Sequence, residues 1–261
     1  MSFVDKVALV TGAASGIGKA AALRLAAEGC AIGALTHKAD EAEEVAEAIR
    51  TAGGRALPLT ADVGDAEQMK AAVDQLVQEF GRLDFLFANA GINGVWAPIE
   101  DIGPDEWDRT IRTNLRGTYL ALHYGVPHLK RAGAGAIVIT ASVNGTRIFS
   151  NAGATAYSAT KAAQVAMAKM QALELAKHRI RVNVVCPGKI YTAIEQSTKR
   201  RHTGEAEEPV DYPEGKIPLT DDRAGSSNDV ADLVLFLLSD KARHITGTPI
   251  WIDGAESLLM G

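Results

Sequence analysis

The stretch A-Y-S-A-T-K-A-A at 156–163 sets a tyrosine and a lysine four residues apart, Tyr157 and Lys161. On a helix, side chains at that spacing share a face. A free phenol, with a pKa near 10, is a poor base at neutral pH. An ammonium about 4 Å away, at an effective dielectric near 20, favours phenolate by roughly 4 kcal/mol, or about three pK units. That brings Tyr157 within reach of general acid–base work. Taken alone, the pair reads more simply as two neighbours on a helix surface. A second cluster, T-G-A-A-S-G-I-G at 11–18, follows an apolar run and opens a helical stretch. Glycines let the backbone turn tightly and approach a ligand with no β-carbon in the way. A helix N-terminus behind them offers unpaired N–H groups that suit a pyrophosphate. Taken alone, this cluster could also be a plain turn. Its spacing is Gly-x-x-x-Gly-x-Gly, which differs from the commonest dinucleotide fingerprint.

The elements that must position these residues alternate. Strands are expected at 7–10, 31–35, 55–60, 85–88, 137–141, 181–186 and 250–252. Helices are expected at 19–28, 41–51, 67–80, 104–130, 156–176 and 229–239. Such alternation requires a parallel sheet covered by helices on both faces, and A-I-V-I-T and V-N-V-V read as its buried strands. Asp40 and Glu43 form a capping box, Gly53-Gly54 a helix stop, and Asp65 a cap for the third helix. Residues 189–226 break the rhythm, being polar and irregular. A long insertion of that kind is a functional lid or a mobile excursion. The Lys-Arg-Arg run at 199–201 reads as a solvated helix face.

Composition narrows the function classes. The chain has 261 residues and no composition break, which indicates one domain over 1–261. A net charge of −5 argues against a nucleic-acid surface. The apolar run at 233–238 is far too short for a membrane span, which needs roughly 20 residues. The N-terminus runs into a strand pattern with no basic-then-apolar signal, so a cytoplasmic protein is expected. Cys30 and Cys186 fall in apolar runs and read as reduced core residues. No metal-ligand set is assigned.

Taken in order, the motifs resemble the short-chain dehydrogenase/reductase family. They are T-G-A-A-S-G-I-G at 11–18, D-V at 62–63, N-A-G at 89–91, Asn114 in R-T-N-L, Ser142 ending I-V-I-T-A-S, Y-S-A-T-K at 157–161 and P-G-K-I-Y-T at 187–192. The resemblance implies an α/β fold: a Rossmann-type doubly wound parallel sheet of about seven strands in a single domain, with NAD(P) along its carboxyl edge. It implies an oxidoreductase that interconverts a secondary alcohol and a ketone by hydride transfer. Tyr157 would be general acid or base, and Lys161 would tune it and bind the nicotinamide ribose. Ser142 would hydrogen-bond the substrate oxygen, and Asn114 would hold a relay water. Gly12, Ser15, Gly16, Ile17 and Gly18 would hold the pyrophosphate end. Asp62 and Val63 would meet the adenine, and Asn89, Ala90 and Gly91 would line the pocket. Pro187, Gly188, Ile190 and Thr192 would face the nicotinamide. The family usually shows two asparagines before Ala-Gly; here the first is Ala88.

At the end of the second strand the deciding position is Thr36, followed by His37 and Lys38. A hydroxyl beside cations favours a phosphate, so NADP is expected over NAD. Ser15 stands where the NADP branch often carries a basic residue, which runs against that choice. The lid residues Tyr191, Glu195, Lys199, Arg200, Arg201 and His202 suggest a small polar substrate: a sugar, polyol, hydroxy acid or cyclic ketone. Asn93, Val95, Trp96, Val143, Asn144 and Arg147 are expected at the pocket mouth. By resemblance, a homotetramer or homodimer would form through the helices at 104–130 and 156–176. Two other classes remain: a non-catalytic dinucleotide sensor, and an isomerase or lyase on the same scaffold.

Overall fold

The first apolar run forms strand β1 (Val7–Thr11), buried along its whole length. Val7 and Leu9 enter one core, and Ala8 and Val10 enter another. A strand apolar on both faces must be covered on both, which is the reason for the layered architecture that follows. The computed structural model describes residues 3–208 and 216–259.

After β1 come α1 (Gly16–Ala27), β2 (Ala31–Thr36), α2 (Ala39–Thr51), β3 (Arg55–Thr60), α3 (Ala66–Phe80), β4 (Phe85–Ala88) and β5 (Gly94–Trp96). They are followed by α4 (Pro104–Thr110), α5 (Gly117–Arg131), β6 (Gly135–Thr140), α6 (Thr155–Ala176) and β7 (Ile180–Pro187). The chain ends with β8 (Thr198–Arg200), α7 (Ser227–Leu238), β9 (Pro249–Ile252) and α8 (Glu256–Leu259). Seven strands form one sheet in the order β3-β2-β1-β4-β6-β7-β9, with every pairing parallel. The expected fold class is the observed one. Helices α3, α5 and α6 cover one face, and α1, α2 and α7 cover the other. Each fully buried leucine, such as Leu9, Leu35 or Leu86, contributes about 1.5–3 kcal/mol by leaving water. The order of connection reverses between β1 and β4, which opens a crevice beyond their carboxyl ends.

Several local expectations change. Helix α2 begins at Ala39 with Lys38 as its N-cap and no side-chain cap bond. Asp40 therefore lies inside the first turn, where its charge favours the positive helix end, and does not form a capping box. Asp65 does cap α3, its Oδ1 accepting from Gln68 N at 3.0 Å. The long helix expected at 104–130 is interrupted by a π-helical turn at Ile111–Arg116. The basic run at 199–201 is no helix face: Thr198–Arg200 pairs in parallel with Gly94–Trp96 as a separate two-stranded sheet. Residues 209–215 of the expected lid lie outside the described residues. Cys30 and Cys186 are free and buried. Among the described residues, no helix is long and apolar enough to cross a membrane.

Candidate active site

The crevice at the sheet's carboxyl edge is a cavity of about 1040 Å³. The loop after β1 enters it through Gly12, Ser15, Gly16 and Ile17. Gly12 and Gly16 hold φ of +68° and +53°, which a side chain would strain. A Cβ on Gly16 would also sit 3.1 Å from the Thr192 side chain. Gly18 does not line the cavity. A Cβ there would come within 2.1 Å of the Gly12 carbonyl oxygen and 2.7 Å of Asn89 Nδ2, so Gly18 lets α1 pack under the loop. The Ser15 side chain makes no cap bond to α1, which leaves that helix end without a side-chain cap.

Asn89 joins three strand ends. Its Nδ2 donates to the Thr11 and Gly12 carbonyls at 3.2 and 3.4 Å, and its Oδ1 accepts from Thr140 Oγ1 at 3.1 Å. Ala88 is a buried strand residue in the core, so Asn89 makes these bonds without an asparagine before it. Ala90 and Gly91 continue the lining, as do Pro187, Gly188, Ile190 and Thr192 from the far side. Asp62 and Val63 line the opposite end. Asp62 Oδ1 accepts from Gly64 N at 2.8 Å, and its Oδ2 pairs with Arg112 Nη1 at 2.9 Å.

Ser142, Tyr157 and Lys161 all line the cavity. Ser142 is the side chain that pulls the Tyr157 phenol down, and its Oγ accepts from Asn144 N at 3.1 Å. Lys161 is buried and donates to the Thr140 carbonyl at 2.7 Å. Its Nζ lies 5.4 Å from the Tyr157 ring centroid. Burial pushes the Tyr157 phenol up to about 12, with the Ser142 hydrogen bond pulling the other way. Burial also pushes Lys161 down to about 8. The expected lowering of the phenol by Lys161 is therefore not found. The ammonium is bound to the Thr140 carbonyl, and burial sets the shift of the phenol.

Asn114 does not line the cavity and is wholly buried in the π turn. Its Oδ1 accepts from Ile92 N at 2.8 Å, and its Nδ2 donates to the Ile92 carbonyl at 2.9 Å and Thr160 Oγ1 at 3.2 Å. Its carbonyl accepts from Thr118 Oγ1 at 2.8 Å and Gln164 Nε2 at 3.0 Å. Asn114 thus fastens α6 and the segment after β4 to the π turn. Gly91 passes over it: a Cβ there would lie 3.2 Å from Asn114 Oδ1 and 3.6 Å from Lys161 Nζ.

At the end of β2, Thr36 and His37 line the cavity and Lys38 does not. Glu41, unremarked in the sequence, does. It accepts from Lys38 Nζ at 2.7 Å and from Thr36 Oγ1 at 3.4 Å. Arg112, Ile92, Ile194 and Ser197 are further lining residues missed in the sequence. Arg112 opens the R-T-N-L stretch and Ile92 follows N-A-G, but each reaches the cavity only through the packing of the π turn, the segment after β4 and the chain after β7.

The residues expected at the mouth do not line the cavity; they hold its cover. Ser197 Oγ donates to the carbonyl of Ile194 at 2.7 Å and accepts from Asn93 N at 2.9 Å. Asn93 Nδ2 donates to Thr198 Oγ1 at 2.7 Å. The Trp96 ring centroid lies 6.5 Å from that of Tyr157, and the Arg200 guanidinium sits 4.6 Å from the Trp96 ring centroid. Arg201 pairs with Glu106 at 2.7 Å and donates to the Asp101 carbonyl, while His202 meets Asp101 Oδ2 at 2.7 Å. Val95 and Val143 are buried, and Asn151 donates to Asn144 Oδ1 at 2.6 Å. Arg147 turns aside to stack 3.7 Å from the Trp251 ring centroid. Tyr191 is exposed, Glu195 lies 3.9 Å from Arg200, and Lys199 sits on β8.

With this geometry, the family model described as "Enoyl-(Acyl carrier protein) reductase" matches residues 12–255. The chain belongs to the short-chain dehydrogenase/reductase family. It is 39% identical over 253 residues to a cyclohexanol dehydrogenase of Acinetobacter sp. (strain SE19), covering 97% of this chain and 95% of that one. It is 35% identical over 258 residues to a levodione reductase of Leifsonia aquatica, covering 98% and 95%. A crystal structure described as a 3-ketoacyl-ACP reductase from Sinorhizobium meliloti 1021 superposes with a TM-score of 0.93, at 58% identity over 97% of this chain and 99% of that one. This short-chain dehydrogenase/reductase is an oxidoreductase of the alcohol/ketone class.

Proposed function

We propose that this short-chain dehydrogenase/reductase interconverts a small cyclic or hydroxylated ketone and its secondary alcohol, using a nicotinamide dinucleotide and Tyr157 as general acid or base. The observation that carries this reading is the burial of Tyr157, Ser142 and Lys161 together in the lining of the cavity, with Lys161 Nζ 5.4 Å from the Tyr157 ring centroid. The residues present fit the dinucleotide. Two loop glycines hold positive φ, and the cradle behind them would be filled by a Cβ at Gly18. The bound dinucleotide supplies or takes the hydride. The chain's own residues handle the oxygen and its proton.

In reduction, Tyr157 gives its proton to the carbonyl oxygen while Ser142 donates a hydrogen bond to that oxygen. In oxidation, the phenolate takes the alcohol proton. Lys161, bound to the Thr140 carbonyl, stands in the cavity lining beside Tyr157, and the bonds of Asn114 hold the surrounding backbone. A non-catalytic sensor has no use for a buried phenol paired with a serine. A small substrate is supported by the cover, which β8, Asn93 and Arg201 fasten and whose Trp96 ring centroid lies 6.5 Å from that of Tyr157. Cyclic substrates are supported by the names of the cyclohexanol dehydrogenase and the levodione reductase. A 3-ketoacyl thioester is the second reading, favoured by the 58% identical structure described as a 3-ketoacyl-ACP reductase.

The test is reduced-nicotinamide absorbance with cyclohexanone, substituted cyclohexanediones, sugars, hydroxy acids and an acetoacetyl thioester. Turnover of cyclic or hydroxylated ketones is expected, and Tyr157→Phe is expected to lower kcat by about 10²–10⁴-fold with the dinucleotide Kd unchanged. Turnover of the thioester alone would establish the second reading. Binding without turnover of any substrate class would sink both. Assembly as a homodimer or homotetramer is supported by exposed Tyr119 on α5 and by Met170 and Leu173 on α6. A sedimentation mass near the 27.5 kDa chain mass would exclude it.

A further inference from the structure

We propose that Glu41, from the first turn of α2, sets the dinucleotide preference in place of the residue at the end of β2, and sets it toward NAD(H). The inference rests on the cofactor reading above and reverses the preference expected from Thr36, His37 and Lys38. Linear sequence puts two potential cations directly after β2. The fold takes one of them away. The Lys38 ammonium is bound to Glu41 Oε1 at 2.7 Å and lies outside the cavity lining, whereas Glu41 is part of that lining. The hydrogen bond from Lys38 holds the Glu41 carboxyl below its usual range, so it is a carboxylate at neutral pH. Its other oxygen accepts from Thr36 Oγ1 at 3.4 Å, which occupies the hydroxyl at the deciding position.

Two further cations of the lining are also engaged. Arg112 pairs with Asp62 at 2.9 Å, and Arg116 donates to the Gly64 carbonyl at 3.0 Å. A carboxylate accepts hydrogen bonds from ribose hydroxyls. A 2′-phosphate would bring about 1.5–2 further negative charges to the same wall, against the Glu41 charge. His37 lines the cavity too, but stands beside that carboxylate. Glu41 is five residues past Thr36 in sequence and beside it in space because α2 turns back over the strand end.

The experiment measures dissociation constants of NADH and NADPH by tryptophan-fluorescence quenching or calorimetry, without substrate. Wild-type protein is expected to bind NADH at least tenfold more tightly. Glu41→Gln, which keeps the shape and frees Lys38, is expected to cut that ratio at least fivefold, chiefly by strengthening NADPH. Thr36→Val is expected to leave the ratio within about twofold. Equal or tighter NADPH binding by wild type, or a ratio unmoved by Glu41→Gln with both variants folded by circular dichroism, overturns the assignment of Glu41 and leaves the proposed function standing. Failure of both dinucleotides to bind overturns the proposed function itself, and the assignment with it.

Discussion

The two walls of the cavity are built by different means. The wall beside β1 and α1 is backbone: a glycine loop with two positive φ angles, fixed by Asn89 bonding at neighbouring strand ends. The wall beside β5 and β8 is largely side chain: Asn93 to Thr198, Ser197 to Asn93, Arg201 to Glu106 and Trp96 beneath Arg200. A backbone wall tolerates almost no substitution, because no rotamer can absorb an added atom. A side-chain wall can be retuned one residue at a time. That difference suits a constant ligand on one side and a variable one on the other.

The difference can be broken most severely at Gly18. A Cβ there would meet the Gly12 carbonyl at 2.1 Å with nowhere to move. Gly18→Ala is expected to cost at least about 1–3 kcal/mol of stability. It should lower the melting temperature by several degrees and weaken dinucleotide binding at least tenfold, as read by calorimetry. Unchanged binding would mean that the loop is not rigid.

Where the walls meet, Tyr157 gives a pH signature. Its phenol, pushed up to about 12, stays protonated through neutral pH. Ketone reduction uses that form, so its kcat/KM is expected to be flat from about pH 6 to about 8. Alcohol oxidation uses the deprotonated form, which grows about tenfold per pH unit below the pKa. A flat oxidation profile in steady-state assays would contradict the role of Tyr157.

The mildest break is Arg201→Ala, which removes the pair with Glu106 and the bond to the Asp101 carbonyl. A several-fold rise in ketone KM is expected, with the dinucleotide Kd within about twofold. Equal changes in both would show that the two walls are not independent.

The sheet, the glycine loop and the Tyr157–Lys161 pair were legible because their requirements are written in residue type and spacing, whereas Ser142 joined the pair only through the family resemblance. Only glycine accepts the loop's φ values without strain, and buried parallel strands read as continuous apolar runs. The π turn was not legible, since R-T-N-L carries no signature for it and Asn114 there bonds to Ile92, far back along the chain. The strand at Thr198–Arg200 reads as a charged helix face until Gly94–Trp96 is beside it. Glu41 looks like any acidic residue in a first turn.

Sequence alone determined the fold class, the glycine loop and which tyrosine and lysine share a helix face, because these follow from local backbone geometry and periodicity. Tertiary structure decided the charge state and accessibility of the groups. Burial raises Tyr157 and lowers Lys161, Glu41 withdraws Lys38 from the cavity, and Arg201 fastens the cover. Desolvation and ion pairing depend on what lies nearby in space, and neighbours distant along the chain supply it.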